Sequence, residues 1–373
     1  MTNRVMTVGV TGADGFIGRN LLLRLNELPE FEVRSVSRTT TDAGLASNVS
    51  DVDVIVHLAG VNRPPTPGDF MPGNRGATET LIAALDQVGN ACPIWYASST
   101  KASDATPYGI SKAAAEDVLR NYGMRSGANV TIARLPNVFG KWCRPNYNSA
   151  VATFCYNVAR DLPIEVHDVS APITLVHVDD VVSAIIAWLH SWGMSDAVAS
   201  VEPTYETKIG TVADLICSFA DNRHSGMIDR VGTGFIRALY ATYVSYLPVE
   251  DFAYPLVAHS DPRGMFAEVL KTRDSGQFSF FTAHPGITRG GHYHHAKTEK
   301  FLVVAGRARF TFRHMGTGER YEIHTEGSVP VVVETVPGWT HDITNVGETE
   351  LISLLWANEI FDPARPDTIA AEV

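Results

Sequence analysis

A short segment around residue 290 concentrates side chains that can bind a metal ion. His292 and His294 are two residues apart, so they are expected to project from the same face of a strand. Glu299 follows in or near the next predicted strand, and His341 lies downstream in the sequence VPGWTHDITN. Three imidazoles and one carboxylate that converge inside a small barrel predict a site for Zn²⁺, or for Mn, Fe, Co or Ni.

Tyr108 and Lys112 form a second pair whose spacing suits chemistry. They are four residues apart, so they share one face of a helix that is predicted to begin near Pro107. A nearby ammonium favours a phenolate, so Lys112 is expected to bring the pKa of Tyr108 closer to neutrality for acid–base catalysis. The preceding predicted strand ends in hydroxyl residues, and either Ser99 or Thr100 is expected to place its hydroxyl against a substrate carbonyl.

These side chains need a scaffold that holds a cofactor, and the N-terminal sequence VGVTGADGFIGRNLLLRL predicts one. It is typical of an apolar strand, a turn with three glycines and an amphipathic helix. Gly12 permits the tight turn, Gly15 lets the backbone approach a pyrophosphate, and Gly18 allows the helix to pack closely on the strand. The residues expected to contact the dinucleotide are Gly12, Gly15, Phe16, Ile17, Gly18, Leu58, Ala59, Tyr108 and Lys112.

The end of the second predicted strand indicates which dinucleotide binds. An acidic residue there would bond the adenosine ribose and favour NAD. The sequence instead has Ser37 and Arg38, and an arginine at this place suits a 2′-phosphate. The expected cofactor is therefore NADPH.

The surrounding sequence divides into three regions that differ in their pattern of apolar runs, prolines and glycines. Residues 1–245 alternate short Val- and Ile-rich runs with helical patterns, which predicts an α/β Rossmann-type domain with a doubly wound parallel sheet. Residues 246–262 carry three prolines and are expected to form a linker. Residues 263–373 contain short strands separated by Gly-containing turns, which predicts an all-β barrel.

The charge, the apolar runs and the cysteines of the sequence limit which partners and which cellular compartment are expected. The formal net charge of -11 argues against nucleic acid or an anionic membrane surface as the main partner. No apolar run is long enough to span a bilayer, so no membrane insertion is expected. The four cysteines are scattered without a Cys-x-x-Cys pair, which indicates reduced thiols in a cytoplasmic protein.

The N-terminal motifs together resemble the extended short-chain dehydrogenase/reductase family. The matching segments are TGADGFIG, HLAG, NRGATETL, the Tyr108/Lys112 pair, RLPNVFG and VHVDD. The resemblance implies a Rossmann fold and a sugar-nucleotide substrate. It also implies that Tyr108 is the general acid/base, that Lys112 holds the nicotinamide ribose, and that Asn137 lies near the substrate diphosphate. Ala77 replaces the family's usual glycine, and the spacing from Thr100 to Tyr108 is shorter than usual.

Two differences from members of that family narrow the chemistry. Its sugar-nucleotide dehydratases usually carry Asp-Glu directly after the hydroxyl residue, whereas this sequence has Lys101 and Ala102. Its 4-epimerases retain tightly bound NAD, whereas Ser37 and Arg38 indicate exchangeable NADPH. The remaining expectation is net reduction of a carbonyl.

The C-terminal region resembles the cupin family. The residues that match its first motif, G-x5-H-x-H-x4-E-x6-G, are Gly286, His292, His294, Glu299 and Gly306. The second motif is met loosely by Gly338, His341 and Asn345, because Pro337 is displaced by one residue. Some cupin sugar epimerases work without metal, so a polar lining of histidines is the alternative to a metal site. His295 has the opposite strand parity and is expected to face outward or to lie behind the ligands.

Both regions together resemble bifunctional capsular polysaccharide enzymes of the CapF type. The most specific segments are RLPNVFGKWCRPNYNSAVATFCYNVARDLPI, PGITRGGHYHHAKTEKFLVVAGRARFTFRH and WANEIFDPARPDT. The resemblance implies a homodimer with zinc in its cupin domain. It also implies that this domain epimerises C3 of UDP-2-acetamido-2,6-dideoxy-β-L-arabino-hex-4-ulose. The N-terminal domain would then reduce C4 with NADPH to UDP-N-acetyl-L-talosamine, a precursor of UDP-N-acetyl-L-fucosamine.

Several assignments stay open from the sequence. The candidates for moving the C3 proton are Tyr293, His295, Lys297 and His284. The candidates for contacting the UDP-sugar, besides Asn137, are Lys141, Arg144, Asn146 and Asn148. One alternative function is a reductase of a different 4-keto nucleotide sugar, with a cupin domain that is non-catalytic, dimerising or only metal-binding. Another is a non-catalytic sensor of NADPH and sugar nucleotides.

Overall fold

The computed structural model describes residues 4–36, 42–194, 198–364 and 366–373. The chain forms two compact units, and each is described by itself. One unit comprises Met1–Cys217 and Thr233–Leu247, and the other comprises Ser218–Gly232 and Pro248–Val373. The division expected from the sequence, into 1–245, 246–262 and 263–373, concerns independently folding domains and stays a prediction.

The first unit alternates strands and helices along the chain. Its strands are β1 (Met6–Thr11), β2 (Phe31–Val36), β3 (Val54–His57), β4 (Ile94–Ser99), β5 (Val130–Leu135), β6 (Asn137–Phe139), β7 (Pro172–His177), β8 (Val198–Ala199) and β9 (Thr204–Lys208). Its helices are α1 (Phe16–Asn26), α2 (Asp42–Val49), α3 (Ala77–Val88), α4 (Pro107–Ser126), α5 (Ala150–Val158), α6 (Val178–His190), the first part of α7 (Ile209–Ser225) and α8 (Gly234–Val244); the residues of α7 from Ser218 onward belong to the second unit. Short 3₁₀ turns occur at Pro67–Asp69 and Thr100–Ser103, and a π-helical turn at Pro72–Gly76.

A parallel sheet in the order β2-β1-β3-β4-β5-β8 forms the centre of this unit. Val8, Val10, Ile55 and Val56 of its central strands are fully buried. Near-continuous apolar runs of this kind are what a parallel strand needs when helices cover both faces of its sheet. The strand order reverses between β1 and β3, and ligands of doubly wound sheets bind beyond the carboxyl ends of the strands at such a point. A smaller sheet contains β6, β7 and β9.

Two hydrophobic clusters hold the helices against the main sheet. One cluster attaches α1 and α6, and the other attaches α3 and α4. Their buried helix residues are Leu21, Leu25, Ile185 and Leu189 in the first, and Leu81, Leu85, Leu119 and Tyr122 in the second. Helix α4 is thereby fixed on the face of the sheet beside β4 and β5.

Helix α4 carries the candidate acid–base pair and begins at Pro107, as the sequence predicts. The hydroxyl of Thr106 accepts a hydrogen bond from the Gly109 amide at 3.1 Å, and a proline in the first turn needs no amide partner. A Cβ on Gly109 would lie 2.3 Å from the Lys101 carbonyl oxygen, so the helix packs directly on the turn that follows β4. These contacts fix where α4 starts relative to the end of β4.

The second unit consists mainly of antiparallel strands. Its strands are β10 (Met227–Ile228), β11 (Ala258–Asp261), β12 (Gly264–Thr272), β13 (Gln277–Ala283), β14 (Thr288–Tyr293), β15 (Glu299–Ala305), β16 (Arg307–His314), β17 (Arg320–Glu326), β18 (Val332–Thr335), β19 (Trp339–Asn345), β20 (Leu351–Ala357) and β21 (Ile369–Ala370). One sheet has the order β10-β12-β13-β20-β15-β18, with β11 paired to β12, and the other has the order β17-β16-β19-β14-β21. A 3₁₀ turn lies at Val249–Phe252.

The two sheets of this unit enclose an aromatic core. Phe281 and Phe301 come from the first sheet, and Phe310, Phe312 and Ile343 come from the second. The Phe301 and Phe310 rings meet edge to face with centroids 5.7 Å apart, which joins the two layers. The predicted fold class is therefore confirmed, with a Rossmann-type parallel sheet in the first unit and a cupin-like all-β arrangement in the second. Among the described residues, every helix is too short or too polar to cross a bilayer.

Candidate active site and metal centre

Only glycine fits at two positions here, one in the turn between β1 and α1 and one in the first turn of α1. Gly12 has a φ of +68°, and a Cβ there would lie 2.7 Å from the Ala59 amide nitrogen. A Cβ on Gly18 would lie 2.3 Å from the Gly12 carbonyl oxygen. Gly15 is the N-cap of α1 and has no side chain to occupy the first amides of that helix. Those amides are therefore available to a phosphate group.

The loop after β3 joins this turn to the candidate acid–base pair. Leu58 and Ala59 lie against Gly12, and the Ala59 amide donates to the Thr11 hydroxyl at 3.2 Å. A Cβ on the next residue, Gly60, would lie 3.7 Å from the Lys112 Nζ atom. The structure thus brings the expected cofactor residues of β1, α1 and the β3 loop together with Lys112.

Lys112 is buried at the carboxyl end of the parallel sheet. Its Nζ atom donates to the Ala97 carbonyl oxygen at 2.7 Å and lies 4.4 Å from the centre of the Tyr96 ring. Burial lowers the pKa of Lys112 to about 7, although the Glu116 carboxylate one turn along α4 acts in the opposite direction. Hydrogen bonding to the backbone holds this side chain in place beside the β3 loop.

The Tyr108 ring lies 5.6 Å from that of Phe70, and its phenol is near enough to the Ser99 side chain for Ser99 to affect its pKa. Burial raises the pKa of Tyr108, and the neighbouring Ser99 offsets this only in part. The expectation that Lys112 would lower the pKa of Tyr108 is therefore wrong for the protein alone, because desolvation is the larger effect. A raised pKa keeps the phenol protonated at neutral pH, as a general acid requires.

The two candidate hydroxyls after β4 occupy different environments. Ser99 is buried, lies near the Tyr108 phenol and accepts a hydrogen bond from the Lys101 amide at 3.1 Å. Thr100 is exposed and borders a surface cleft. Of the two, Ser99 is the hydroxyl that the structure places at the phenol.

The cleft beside Thr100 has a volume of about 390 Å³. The residues that line it are Thr100, Lys101, Pro136, Asn137, Pro172, Ile173, Thr174, Glu206 and Thr207. Asn137 lies at the start of β6, and its side-chain amide donates to the Thr174 carbonyl oxygen at 3.2 Å. The structure therefore places Asn137 and Thr100 on one cleft.

The other proposed substrate residues lie outside the lining of that cleft. Lys141 forms an ion pair with Asp179 at 2.5 Å. The Arg144 guanidinium lies 5.1 Å from the centre of the Tyr147 ring, and Asn148 is exposed. Their contacts with a UDP-sugar stay a prediction.

The two residues expected to select NADPH lie outside the described residues. Ser37 and Arg38 belong to the range that the structure does not describe. Arg19, on the first turn of α1, donates to the Trp142 carbonyl oxygen at 2.9 Å. The selection of NADPH over NADH stays a prediction.

Asn74 is a buried anchor of the site that sequence reasoning did not assign. Its side-chain oxygen accepts from the Val61 amide, and its nitrogen donates to the Val61 carbonyl and to the Ser111 hydroxyl, each at 2.9 Å. The β3 loop is thereby tied to α4 one residue before Lys112. The only signal in the sequence was the position of Asn74 inside the family segment NRGATETL.

Glu116 is a second unassigned anchor, fully buried one turn beyond Lys112. Its carboxylate accepts hydrogen bonds from Ser98 at 2.5 Å, from Arg134 at 2.7 Å and from Arg120 at 2.7 Å. Burial alone would raise the pKa of Glu116, but the three donors together hold it below its usual value. This cluster fixes α4 to β4 and β5.

The second unit gathers the four predicted metal ligands. Nitrogen and oxygen atoms of His292, His294, Glu299 and His341 all lie within 4.8 Å of one another. His292 and His341 face each other across the paired strands β14 and β19, with ring centroids 4.7 Å apart. His294 directly follows β14, and Glu299 is the first residue of β15. Burial and the neighbouring imidazole of His341 lower the pKa of His292 to about 4, so this imidazole is neutral at pH 7, as a metal ligand must be.

The polar atoms of this cluster fit a bound cation. Among the described residues, neither ring nitrogen of the buried His341 has a hydrogen-bond partner. The His294 Nδ1 atom donates to the Asp367 carbonyl oxygen, so a neutral His294 presents a bare Nε2 atom to the Glu299 Oε2 atom 3.2 Å away. Two lone pairs that face each other repel, and a divalent cation bound by both removes the conflict.

Glu299 is held as an anion. Burial alone would raise its pKa, but the neighbouring polar groups, among them the Lys297 ammonium, lower it well below its usual value. Lys297 is itself buried, with its Nζ atom 2.9 Å from the Glu299 Oε1 atom. A carboxylate that stays ionised when buried suits a metal ligand.

A cavity of about 130 Å³ adjoins these ligands inside the barrel. It is lined by Phe266, Phe281, Arg289, Gly290, His292, Glu299, Phe301, Phe310, His341, Asp342, Ile343 and Leu355. Arg289 was not assigned from the sequence; its guanidinium donates to the Thr282 carbonyl at 3.0 Å and lies 5.4 Å from the centre of the Phe281 ring. Of the candidate C3 bases, His284 and His295 are exposed, as expected for His295, and Lys297 is paired with Glu299.

Known proteins resemble both parts of the chain. Residues 8–193 match the NAD dependent epimerase/dehydratase family, and residues 259–369 match the polysaccharide biosynthesis C-terminal domain. A UDP-2-acetamido-2,6-beta-L-arabino-hexul-4-ose reductase from Pseudomonas aeruginosa strain PA103 is 53% identical over 369 residues, which cover 99% of either chain.

Two solved structures are similar to this chain in three dimensions. The capsular polysaccharide assembling protein CapF from Staphylococcus aureus matches 99% of this chain and 100% of its own, with 41% identity and a TM-score of 0.92. RMD from Pseudomonas aeruginosa, complexed with NADPH, matches 58% of this chain and 82% of its own, with 26% identity and a TM-score of 0.51. The chain therefore belongs to the CapF-type family of capsular polysaccharide enzymes, in which a Rossmann-type epimerase/dehydratase domain precedes a polysaccharide biosynthesis C-terminal domain.

Proposed function

We propose that this chain reduces the C4 ketone of a UDP-linked 4-keto sugar with NADPH, after epimerisation at C3 in the barrel unit. The proposed substrate is UDP-2-acetamido-2,6-dideoxy-β-L-arabino-hex-4-ulose, and the proposed product is UDP-N-acetyl-L-talosamine. The proposal is carried by the position of the Tyr108 phenol beside Ser99, on the helix that also brings Lys112 to the loop that contacts the glycine turn. The name of the Pseudomonas relative, a reductase of a UDP-linked hexul-4-ose, supports it.

In the reduction, the residues of the first unit would position the ketone and supply a proton. Bound NADPH provides the hydride for the carbonyl carbon. Tyr108 would give its proton to the carbonyl oxygen, and Ser99 would donate a hydrogen bond to the same oxygen. Lys112, whose ammonium is already fixed by the Ala97 carbonyl at 2.7 Å, would bind hydroxyls of the nicotinamide ribose.

The preference for NADPH rests on two supports. The sequence has no carboxylate at Ser37 and Arg38, where NAD-dependent enzymes hold the adenosine ribose. The similar RMD structure was solved with NADPH. We expect NADPH to bind at least tenfold more tightly than NADH, measured by fluorescence titration, and an Arg38→Ala variant to remove most of that difference. Equal affinity for the two cofactors in the natural protein would contradict the preference.

The barrel unit is proposed to invert C3 before the reduction. Protons beside a ketone are acidic, so a base can remove the C3 proton, and a proton returned to the other face inverts the carbon. His292, His294, Glu299 and His341 would hold a divalent ion, which when bound polarises a carbonyl group. Of the candidate bases, Lys297 contacts a proposed ligand directly.

The decisive experiment follows the 4-keto UDP-sugar by proton NMR in deuterated water, with and without NADPH. Without NADPH, deuterium is expected to replace the C3 proton; with NADPH, a C4-reduced product is expected. If NADPH is not oxidised with any 4-keto UDP-sugar, the reductase proposal is refuted. If reduction occurs without exchange at C3, catalysis is confined to the first unit.

One observation favours the alternative in which the barrel does not catalyse. The cavity beside the metal ligands is about 130 Å³, and pockets for small molecules usually exceed about 300 Å³. In that case the ligand cluster would serve stability alone, and the first unit would reduce a 4-keto sugar that needs no epimerisation. The exchange experiment separates the two functions.

We further propose that the protein is a cytoplasmic homodimer with zinc in the barrel, as its family resemblance implies. Light scattering coupled to size-exclusion chromatography is expected to give twice the 40.5 kDa mass of the chain. Metal analysis of the purified protein is expected to give one zinc ion per chain. A monomer, or a protein with no bound transition metal, would contradict these two parts separately.

A further inference from the structure

The residues 366–371, here called the β21 segment, pack against the strand and loop that carry two proposed metal ligands. Within the segment, β21 pairs antiparallel with β14, so that Ala370 lies opposite His292. The Ala371 amide also donates to the Gly291 carbonyl oxygen at 3.0 Å. The strand that carries His292 is therefore bordered by β19 on one side and by the β21 segment on the other.

The Asp367 carboxylate holds the loop that follows β14. One of its oxygens accepts from the His295 amide at 2.9 Å. The other accepts from the Ala296 amide at 2.7 Å and from the Lys297 amide at 2.8 Å. Three successive amides thus share one carboxylate, which fixes the backbone of this loop in one conformation.

The Asp367 main chain acts on a ligand directly. Its carbonyl oxygen can only accept, so the His294 Nδ1 atom beside it must carry the proton. That bond determines the tautomer: the Nε2 atom is left free and is directed at Glu299, 3.2 Å away. Ligating histidines commonly donate their second nitrogen to a carbonyl or carboxylate in this way.

The same loop reaches a second ligand through Lys297. Because Asp367 binds the Lys297 amide, it fixes the position from which that side chain extends. The Lys297 Nζ atom then contacts the Glu299 Oε1 atom at 2.9 Å, and the Oε2 atom of Glu299 is left facing His294 and His341. One residue of the segment therefore positions two of the four ligands.

We propose that the β21 segment is an integral part of the metal site and that Asp367 is its positioning residue, setting the tautomer of His294 and the orientation of Glu299. The inference rests on the metal site of the proposed function. Because binding free energies are reciprocal, a metal that needs the docked segment must also hold the segment in place.

The first test measures Zn²⁺ affinity in the full chain. The protein is stripped with a chelator and titrated with Zn²⁺ in competition with a fluorescent zinc indicator. Asp367→Asn preserves the size of the side chain but leaves one acceptor oxygen for three amides, and we expect about 10- to 100-fold weaker binding. The matched control is Glu372→Gln, which removes the same charge nearby; in the described part of the chain, Glu372 accepts a hydrogen bond from Arg313 through its backbone carbonyl, which the substitution leaves in place. The control is expected to bind Zn²⁺ like the natural protein.

A second test needs no variant and remains informative if Asp367→Asn does not fold. Hydrogen–deuterium exchange of the natural protein is compared with and without Zn²⁺. We expect Zn²⁺ to slow exchange in residues 294–297 and also in the β21 segment.

The outcomes separate this inference from the proposed function. If the natural protein binds Zn²⁺, but Asp367→Asn binds it equally well or the β21 segment exchanges at an unchanged rate, the inference is wrong and the metal site stands. If the natural protein does not bind Zn²⁺, the metal site and the inference both fail. Neither result alters the test of the reductase, which is NADPH oxidation.

Discussion

Replacing Tyr108 by phenylalanine should abolish the reduction while leaving the fold and any exchange at C3 intact. The phenylalanine ring keeps the position beside Phe70, where the two rings are 5.6 Å apart. The lost phenol leaves Ser99 with its bond from the Lys101 amide, so no buried hydroxyl is stranded, and the free energy of unfolding should fall by only about 1 kcal/mol.

The loss of rate is set by the role of the phenol as proton donor. General acid catalysis contributes about 100- to 10,000-fold, which corresponds to roughly 2.7 to 5.4 kcal/mol of barrier. The rate of NADPH oxidation in a single turnover should fall by that factor. The affinity for NADPH, measured by fluorescence titration, should change little, because the phosphates are expected to be held by the glycine turn and Tyr108 is only one of several residues expected to contact the dinucleotide.

The matched control is Tyr122→Phe on the same helix, whose hydroxyl lies 3.3 Å from the Asn90 carbonyl and far along α4 from Tyr108. This variant removes the same atom and should reduce at the natural rate. Exchange of the C3 proton into deuterated water should persist in both variants. A Tyr108→Phe enzyme that reduces its substrate within a few-fold of the natural rate would refute the assignment of the acid.

Three further predictions concern the scaffold and the barrel. Gly18→Ala should weaken NADPH binding at least tenfold, because the new Cβ would lie 2.3 Å from the Gly12 carbonyl oxygen. The control is Gly232→Ala, where a Cβ meets nothing within 4 Å. Unchanged NADPH binding in Gly18→Ala would contradict the close packing of α1 on the turn. Glu116→Gln should lower the free energy of unfolding by about 3 kcal/mol in urea at neutral pH. Because the folded-state pKa of Glu116 is below its ordinary 4.5, its contribution is present above pH 4.5 and is lost as the pH falls further, so the difference between variant and natural protein should shrink in acid. Removing the metal with a chelator should lower the melting temperature of the barrel. Adding Zn²⁺ at a hundred times its Kd should then raise the free energy of unfolding by about 2.7 kcal/mol. A melting curve that does not respond to the chelator would exclude a structural ion.

Short-range patterns explain why much of the site could be predicted from the sequence. The glycine turn, the Tyr108/Lys112 spacing and the His-x-His pair each depend on a few neighbouring residues and a single period. Their geometry follows from the local strand or helix, and the structure has α4 beginning at Pro107 and β15 at Glu299. The same reasoning predicts alternating strands and helices in the first region and only strands in the second. The apolar runs of a parallel sheet differ in length and spacing from those of an antiparallel barrel.

What the sequence could not supply are contacts between distant segments and the consequences of burial. Asp367 is 72 residues from His295, and no periodicity links them. Asn74 and Ser111 are 37 residues apart and meet only after folding. The pKa of Tyr108 was predicted in the wrong direction because spacing reveals the neighbouring ammonium but not the loss of water around the phenol.

Burial of Lys112 links the proposed binding of the dinucleotide to pH. With a pKa of about 7 in the protein alone, this group carries its charge in only part of the molecules near neutrality. An anionic dinucleotide bound beside Lys112 would favour the charged form, so its binding would take up protons and would weaken as the pH rises. Cellular pH and cofactor supply would then act on the same lysine.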